Sequence, residues 1–325
     1  MAFSADQLLE KVNTYLATMP YVREPKGLYA PIEYVLSLGG KRIRPVLMLL
    51  SYQLYKENVD DILPQAAGIE TYHNYTLLHD DLMDCADMRR NKPTVHKVWD
   101  ENTAILSGDA MLVLAYRLMN NCPERYLKQV MDIFSQTALE ICEGQQWDME
   151  FETRSDVTVS EYIEMIRLKT SVLLSAALKI GAVLGGASED DARKLYDFGI
   201  KMGLAFQLQD DYLDVYGDSK VFGKNIGGDI LCNKKTFMLI NALALADGIQ
   251  RKELEKWIAS TAFCPEEKIK AVTALYDKIG IGGICEEKIN AYYVEGLSLL
   301  ESMAVPSERK EELKSFVCHL MNRKV

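Results

Sequence analysis

The sequence is poor in the signals that mark disulfides, zinc sites, hairpins and membrane spans, and each lack narrows what the chain can be. Its 325 residues include seven cysteines (Cys85, Cys122, Cys142, Cys232, Cys264, Cys285 and Cys318) without one CxxC pair. Neither a zinc site nor a disulfide framework is indicated, so reduced thiols are expected. No proline occurs between Glu124 and Cys264, which leaves room for long uninterrupted helices. Alternating runs are few, and no Asn-Gly or Asp-Gly turn joins two strand-like segments. Positive charge is in deficit: 37 Lys and Arg against 47 Asp and Glu give a net charge of −10. That balance argues against a nucleic-acid partner. It leaves an anionic substrate possible, because a local basic cluster can oppose the global sign. Long hydrophobic runs are also missing. The most apolar window, Thr170 to Ala187, is broken by Lys179 and rich in small residues, which suits a buried core helix better than a membrane span. The first residues carry Asp6, Glu10 and Lys11 and no signal-peptide pattern. The expectation is a cytoplasmic protein with no stable membrane insertion.

What is present reads as helix. Hydrophobic residues make up 48% and charged residues 26%, ordinary for a globular chain that buries a core. An amphipathic helix is expected over Met1 to Met19, a connector around Pro20, Pro25 and Pro31, and a short helix from Ile32 to Leu38. Gly39-Gly40 should stop that helix, since glycine is favoured just past a helix end. Further helices are expected over Val46 to Tyr55, after Pro64 and over Thr103 to Met119, with a loop from Asn91 to Val95. Breaks are expected near Thr153 to Val157, at Gly185-Gly186 and between Gly217 and Asn233. The pattern predicts one all-α domain over 1-325, with roughly ten or more helices.

The chemistry-bearing stretch is His73 to Arg90, which contains Asp80, Asp81, Asp84 and Asp87 and ends in Arg89-Arg90. Leu77, Leu78, Leu82 and Met83 recur at helical spacing, so the whole stretch reads as a helix. Asp80 and Asp84 are then one turn apart on one face, with Asp81 beside them. Hard oxygen ligands that leave room for water and phosphate suit Mg²⁺. A solvated acidic turn is the plain alternative. A second copy counts against it: Gln207 to Asp214 repeats the spacing with Asp210, Asp211 and Asp214. Basic residues accompany both copies. Lys41, Arg42 and Arg44 follow the Gly39-Gly40 turn, and Arg forks match phosphate oxygens. Lys224, Lys234 and Lys235 surround a Gly-rich stretch that lacks the spacing of a phosphate-binding P-loop. Each basic set, taken alone, also reads as a solvated turn.

The combination is specific. G-G-K-R-I-R-P, D-D-L-M-D-x4-R-R, K-T, F-Q-L-Q-D-D-Y-L-D and G-K-x2-G-G-D-x4-K-K occur in this order. This strongly resembles the trans-isoprenyl diphosphate synthases (the polyprenyl synthetase family), from about Lys26 to about Ile240 by motif. The resemblance implies a single helical domain of the isoprenoid synthase type with a central cavity. It implies a prenyltransferase that condenses isopentenyl diphosphate with an allylic diphosphate, and about three Mg²⁺ per active site. Asp80, Asp84 and Asp210 match the metal ligands, with Asp81, Asp211 and Asp214 supporting. Lys41, Arg44, His73 and Arg90 match residues that hold isopentenyl diphosphate. Arg89, Lys169, Lys224 and Lys234 match those that bind the allylic diphosphate. Thr170 and Gln207 match the pair near the reacting carbon, and Gln145 and Asp148 a recurrent cavity-lining element. The family mechanism gives the base role to the departed diphosphate, so the small number of histidines is no obstacle. His79 and His96 are expected to be structural, and His319 a surface residue. Asn91 departs from the glycine that commonly follows the Arg pair, but tolerates left-handed backbone.

Product length is read from the residues before Asp80. Tyr75 and Thr76 lie about one turn earlier and should floor the tail tunnel, with Tyr72 a second stop. The plain alternative is that these aromatics fill core. A bulky Tyr75, and no insertion between Asp81 and Asp84, resemble short-chain enzymes that make farnesyl or geranylgeranyl diphosphate. A medium- or long-chain synthase is the runner-up. A terpene cyclase would not need Lys41 and Arg44, and a non-catalytic synthase-like subunit would have lost carboxylates or basic residues. Family members are typically homodimers, and Thr103 to Met119 is the candidate contact.

Overall fold

The computed structural model describes residues 3–21, 23–217 and 226–321. Helix α1 (Ala5–Thr18) starts with a capping box: Ser4 Oγ accepts from Gln7 N while the Gln7 side chain accepts from Ser4 N. Helix α2 (Lys26–Ser37) is longer than the sequence suggests and contains Pro31. Pro31 forfeits one backbone bond near the helix start, but its ring is buried, so packing outweighs the local signal. Then come α3 (Ile43–Gln53), a 3₁₀ turn (Val59–Ile62) and α4 (Leu63–Met83).

The expected helix through Arg90 ends early, at Met83. Asp84 caps it, and Cys85 turns left-handed (φ 53°). Two short antiparallel strands follow, β1 (Met88–Arg89) and β2 (Lys92–Pro93), pairing Met88 with Pro93 and Arg89 with Lys92. Arg90 and Asn91, at φ 52° and 61°, make the turn. Positive φ at both central residues is what a twisted hairpin needs, and Arg-Asn does not announce it in sequence as Asn-Gly does. The expected loop is therefore a hairpin followed by a short helix, α5 (Val95–Val98).

The remaining helices are α6 (Glu101–Met119), α7 (Glu124–Thr153), α8 (Val159–Ile166), a π-turn (Arg167–Ser171), α9 (Val172–Gly185) and α10 (Glu189–Tyr216). After the undescribed stretch come α11 (Gly228–Leu231), α12 (Phe237–Leu245), α13 (Gly248–Ala259), α14 (Pro265–Ile279), α15 (Ile281–Glu301) and α16 (Ser307–Met321). The breaks expected near residue 155 and at Gly185-Gly186 are present. Within the expected break from Gly217 to Asn233, α11 is an added element. Among the described residues the chain is all-α apart from the hairpin.

It divides into two compact units. The first comprises Met1–Gln136, Ala176–Tyr196 and Met303–Leu313; the second comprises Thr137–Ser175, Asp197–Ser302 and Lys314–Val325. In the first, α4 packs most extensively against α6, and also against α3. Ile32, Val35, Leu36, Leu78, Ala104 and Met111 form an apolar cluster. The same unit buries an ion pair between Arg42 and Glu70 at 2.7 Å, their side chains only 3% and 2% exposed. Arg42 also donates to Leu36 O, and Asn74 donates to Glu70. Removing one partner from such a pair costs about 3–5 kcal/mol, because the other charge stays buried. In the second unit, Phe151, Tyr162, Met165, Leu208, Phe237 and Tyr276 are among the core residues. The stretch Val159–Gly185 is apolar and long enough to cross a membrane, but 83% of its most apolar window is buried inside the protein. It is a core element, as its small residues suggest.

Candidate functional site

Two clusters carry the chemistry-bearing residues, one in each unit. The first is at the C-terminal end of α4. Asp84 keeps the helical bond from its N–H to Asp80 O at 2.9 Å, so the two stay one turn apart. Asp81 points inward and is 6% exposed. Arg89 holds it with a fork, Nε and Nη2 donating to Oδ1 at 2.9 and 2.6 Å, and lies 3.7 Å from Asp80. Burial opposes the Arg89 charge, yet the nearby carboxylates of Asp81, Asp80 and Asp84 outweigh it and raise the pKa. Asp87 is apart from this group and pairs with Lys97 at 2.9 Å.

Behind the acidic end sits the basic set. Arg42 is left-handed (φ 46°), and Gly40 (φ 128°) follows Gly39 in the turn. The close approach that the glycines permit is made by Arg90. Its guanidinium would lie 2.8 Å from a Cβ on Gly40, and Nη1 donates to Gly39 O. Arg44 Nη1 is 3.0 Å from His73 Nε2. Burial, then the charges of Arg44, Arg90, Arg89 and Arg42, hold the His73 pKa well below its usual value. His73 is therefore neutral, and Nε2 accepts from Arg44. Burial and the neighbouring Arg90 charge, against the attraction of Glu70, push the Arg44 pKa down to about 10. Its Nε is buried with no partner among the described residues. Lys41 is exposed at the start of this loop. The tail-floor candidates are nearby in sequence: Tyr72 is 1% exposed, Tyr75 is half-buried, and Thr76 Oγ1 donates to His73 O at 2.8 Å.

The second cluster surrounds the π-turn. A π-turn inserts one residue into a helix and often marks a functional site. Here it carries Lys169 and Thr170 and is packed between two glycines. A Cβ on Gly144 would collide with the backbone of Leu168 and Lys169, and one on Gly203 would lie 2.6 Å from Ser171. Lys169 Nζ pairs with Asp148 Oδ2 at 2.6 Å. Gln145 is half-buried, three residues earlier on α7. Thr170 Oγ1 donates to Gln207 Oε1 at 3.3 Å, and Gln207 Nε2 donates to Asp211 Oδ1 at 3.3 Å. Tyr162 OH donates to the other Asp211 oxygen. Burial, more than any other influence, pushes the Asp211 pKa up to about 7, raised further by Asp229 and opposed by Tyr162, Lys234 and Gln207. Tyr162 was missed in the sequence because a helical tyrosine normally reads as core.

Asp214, expected to support the metal ligand of the second motif, lies near the C-terminal end of α10. Its Oδ2 accepts from Asp229 N at 3.0 Å, and so pins the start of α11. Lys235 Nζ donates to Glu152 O at 2.9 Å, whereas Lys234 acts on the buried Asp211. Asp210 is half-buried on α10. Lys224 lies outside the described residues. Among the described residues no three His, Cys, Asp or Glu side chains converge into a metal cage. Asp80, partly buried, and Asp84, exposed, still fit Mg²⁺, which is commonly bound through one or two carboxylates plus substrate phosphates.

Comparison with known proteins agrees with this composition of residues. The sequence model of polyprenyl synthetase matches residues 25–276. A short chain isoprenyl diphosphate synthase of Methanocaldococcus jannaschii is 41% identical over 273 residues, covering 84% of this chain and 83% of the relative. A geranylgeranyl diphosphate synthase of Methanosarcina mazei is 46% identical over 224 residues, covering 68% and 69%. The crystal structure of a geranylgeranyl pyrophosphate synthase superposes with a TM-score of 0.91 at 44% identity, covering 98% of both chains.

The neutral His73 has a consequence for stability. Its folded pKa is depressed, so the unfolded chain binds more protons once the pH falls to the unfolded value of about 6.5. The stability it contributes is complete above that pH and is lost as pH falls toward the folded pKa. Urea unfolding at several pH values should show the parent losing stability faster than His73→Gln below about pH 6.5, by up to about 1.4 kcal/mol per pH unit. Parallel pH profiles for the two proteins would contradict the assignment.

Proposed function

The chain belongs to the polyprenyl synthetase family, and from that premise we propose that it condenses isopentenyl diphosphate with dimethylallyl, geranyl or farnesyl diphosphate. The products are diphosphate and a short-chain all-trans prenyl diphosphate (C15–C20). One observation carries this reading: a guanidinium cluster of Arg42, Arg44 and Arg90 around a neutral His73 stands beside the acidic end of α4. Arg44 Nε, buried without a partner among the described residues, suits a phosphate oxygen. A cyclase, with no second diphosphate to bind, has no use for this pocket.

In this reading Arg44, His73, Arg90 and the exposed Lys41 hold isopentenyl diphosphate and place its double bond. Arg89, Lys169, Lys224 and Lys234 grip the allylic diphosphate. Asp80 and Asp84 from the first motif and Asp210 from the second are the residues that would hold Mg²⁺. Mg²⁺, when bound, neutralises the charge that grows on the leaving diphosphate. The Gln207 amide is oriented by its own hydrogen bonds. With Nε2 committed to Asp211, Oε1 is left on the Thr170 side, where two oxygens favour an allylic cation. The double bond attacks that cation, and the departing diphosphate takes the proton that is lost.

Chain length follows from Tyr75, the floor of the tail tunnel, with Tyr72 and Thr76 beside it. One synthase domain over 1-325 belongs to the same reading, supported by family and fold matches that run through both compact units. A homodimer is supported by the outer face of α6, where Ile105, Leu106 and Val113 are 46%, 61% and 60% exposed; isolated apolar residues are common on surfaces, and a run on one helix suits a contact between two copies. All seven thiols are free, which fits the cytoplasm.

Purified protein incubated with Mg²⁺, isopentenyl diphosphate and dimethylallyl diphosphate should yield prenols of C15 or C20 after dephosphorylation, and Tyr75→Ala should yield longer ones. Long products from the parent would refute the floor while leaving the chemistry; no consumption of isopentenyl diphosphate would refute the activity. Sedimentation at micromolar concentration should show a dimer, and a monomer there would refute the α6 contact.

A further inference from the structure

His79 takes no part in the chemistry above, yet its position is closely specified. Tyr72, Tyr75 and His79 are three and four residues apart on α4, so they share a face. Their rings meet in sequence, tilted or edge to face. Tyr72 and Tyr75 are 5.4 Å apart between centroids, and Tyr75 and His79 are 4.9 Å apart with planes at 66°. Beyond Tyr72 the series continues to Phe134 at 5.2 Å and from there to Tyr116 at 4.9 Å. That end cannot give way, since Tyr72 and Phe134 are 1% and 0% exposed. The other end is His79, which is tied to α6: Nε2 lies 3.2 Å from Ile105 O, and a carbonyl there accepts the imidazole N–H. The ring fits only because residue 108 is glycine; a Cβ there would overlap the imidazole.

We propose that His79 is a positioning residue for product length: seated against Gly108 and Ile105, it keeps the Tyr75 ring across the path of the growing tail. The proposal rests on the reading of Tyr75 as the tunnel floor. Tyr75 is half-buried, and its ring can turn aside only toward space that its neighbours leave open. Tyr72 closes one side of Tyr75 and His79 the other. Removing the imidazole opens a space into which the phenol can turn as an apolar tail presses on it. Displacing the imidazole from the α6 side has the same effect. Tyr75 is the stop, and His79 decides whether the stop holds.

The test is the prenol size distribution from isopentenyl and dimethylallyl diphosphates with Mg²⁺, which a general loss of stability would not shift toward longer chains. His79→Ala should raise the share of products one or more isoprene units longer than the parent's by several-fold. Gly108→Ala, which reaches His79 from the other helix, should move the distribution the same way. His79→Phe, which restores a ring beside Tyr75, should return it to the parent's. Adding His79→Ala to Tyr75→Ala should lengthen nothing further, because the floor is already gone. A parental distribution from His79→Ala, with longer products from Tyr75→Ala, would overturn the proposal and leave the floor intact. Further lengthening in the double variant would overturn it as well, by showing that His79 acts on the tail directly. Unchanged products from Tyr75→Ala would refute the floor and the His79 proposal together.

Discussion

A carboxylate that is folded out of water must be met by the protein's own donors, and each acidic motif contains one. In the first motif it is Asp81, 6% exposed; in the second it is Asp211, 4% exposed. Each is the second Asp of its D-D-x-x-D. The first unit meets the demand with charge, through the Arg89 fork. The second meets it with neutral donors, Tyr162 and Gln207. The pairing raises the Arg89 pKa despite burial, and burial pushes the Asp211 pKa up to about 7. The arrangement of the surrounding residues depends on these two anchors. Asp81 fixes Arg89 and so the strand that bears it. Asp211 fixes the Gln207 amide and, through it, the partner of the Thr170 hydroxyl.

The basic set obeys a related constraint. Several guanidinium groups in one place repel one another, and the first unit limits the cost by keeping His73 uncharged and by matching Arg42 with the buried Glu70. The Arg42–Glu70 pair also holds the left-handed turn after Gly40, which sets where Arg44 enters α3. A pocket prepared in this way keeps surplus positive charge ready for an anion without assembling it at the moment of binding.

Much of this was legible in the sequence, because spacing dictates faces. Asp80 and Asp84 lie four apart, and they do stay one turn apart even though the helix ends between them. The apolar stretch beginning at Thr170 is buried, as its small residues indicate. What spacing did not convey was direction. Nothing in the D-D-x-x-D pattern says that its second carboxylate turns inward, and nothing marks Tyr162 as its partner. The hairpin at Arg90-Asn91 was hidden because its left-handed turn uses residues that merely tolerate that backbone. The π-turn was hidden because its signal is a collision avoided at Gly144 and Gly203, visible only once α7 and α10 are packed against it. Pro31 misled in the opposite sense, since a strong local breaker was overruled by burial.

The two kinds of aspartate in each motif should be separable by their response to Mg²⁺. The most direct measurement is the rate of isopentenyl diphosphate consumption across a Mg²⁺ titration, for the parent, Asp80→Asn and Asp81→Asn, with thermal unfolding recorded for each. The account predicts that Asp80→Asn raises the Mg²⁺ concentration needed for half-maximal rate while unfolding near the parent temperature. Asp81→Asn should keep the parent's Mg²⁺ requirement and unfold at a lower temperature, because Arg89 loses its counter-charge. An equal rise in Mg²⁺ requirement for both variants, with unfolding unchanged, would contradict the inward anchor.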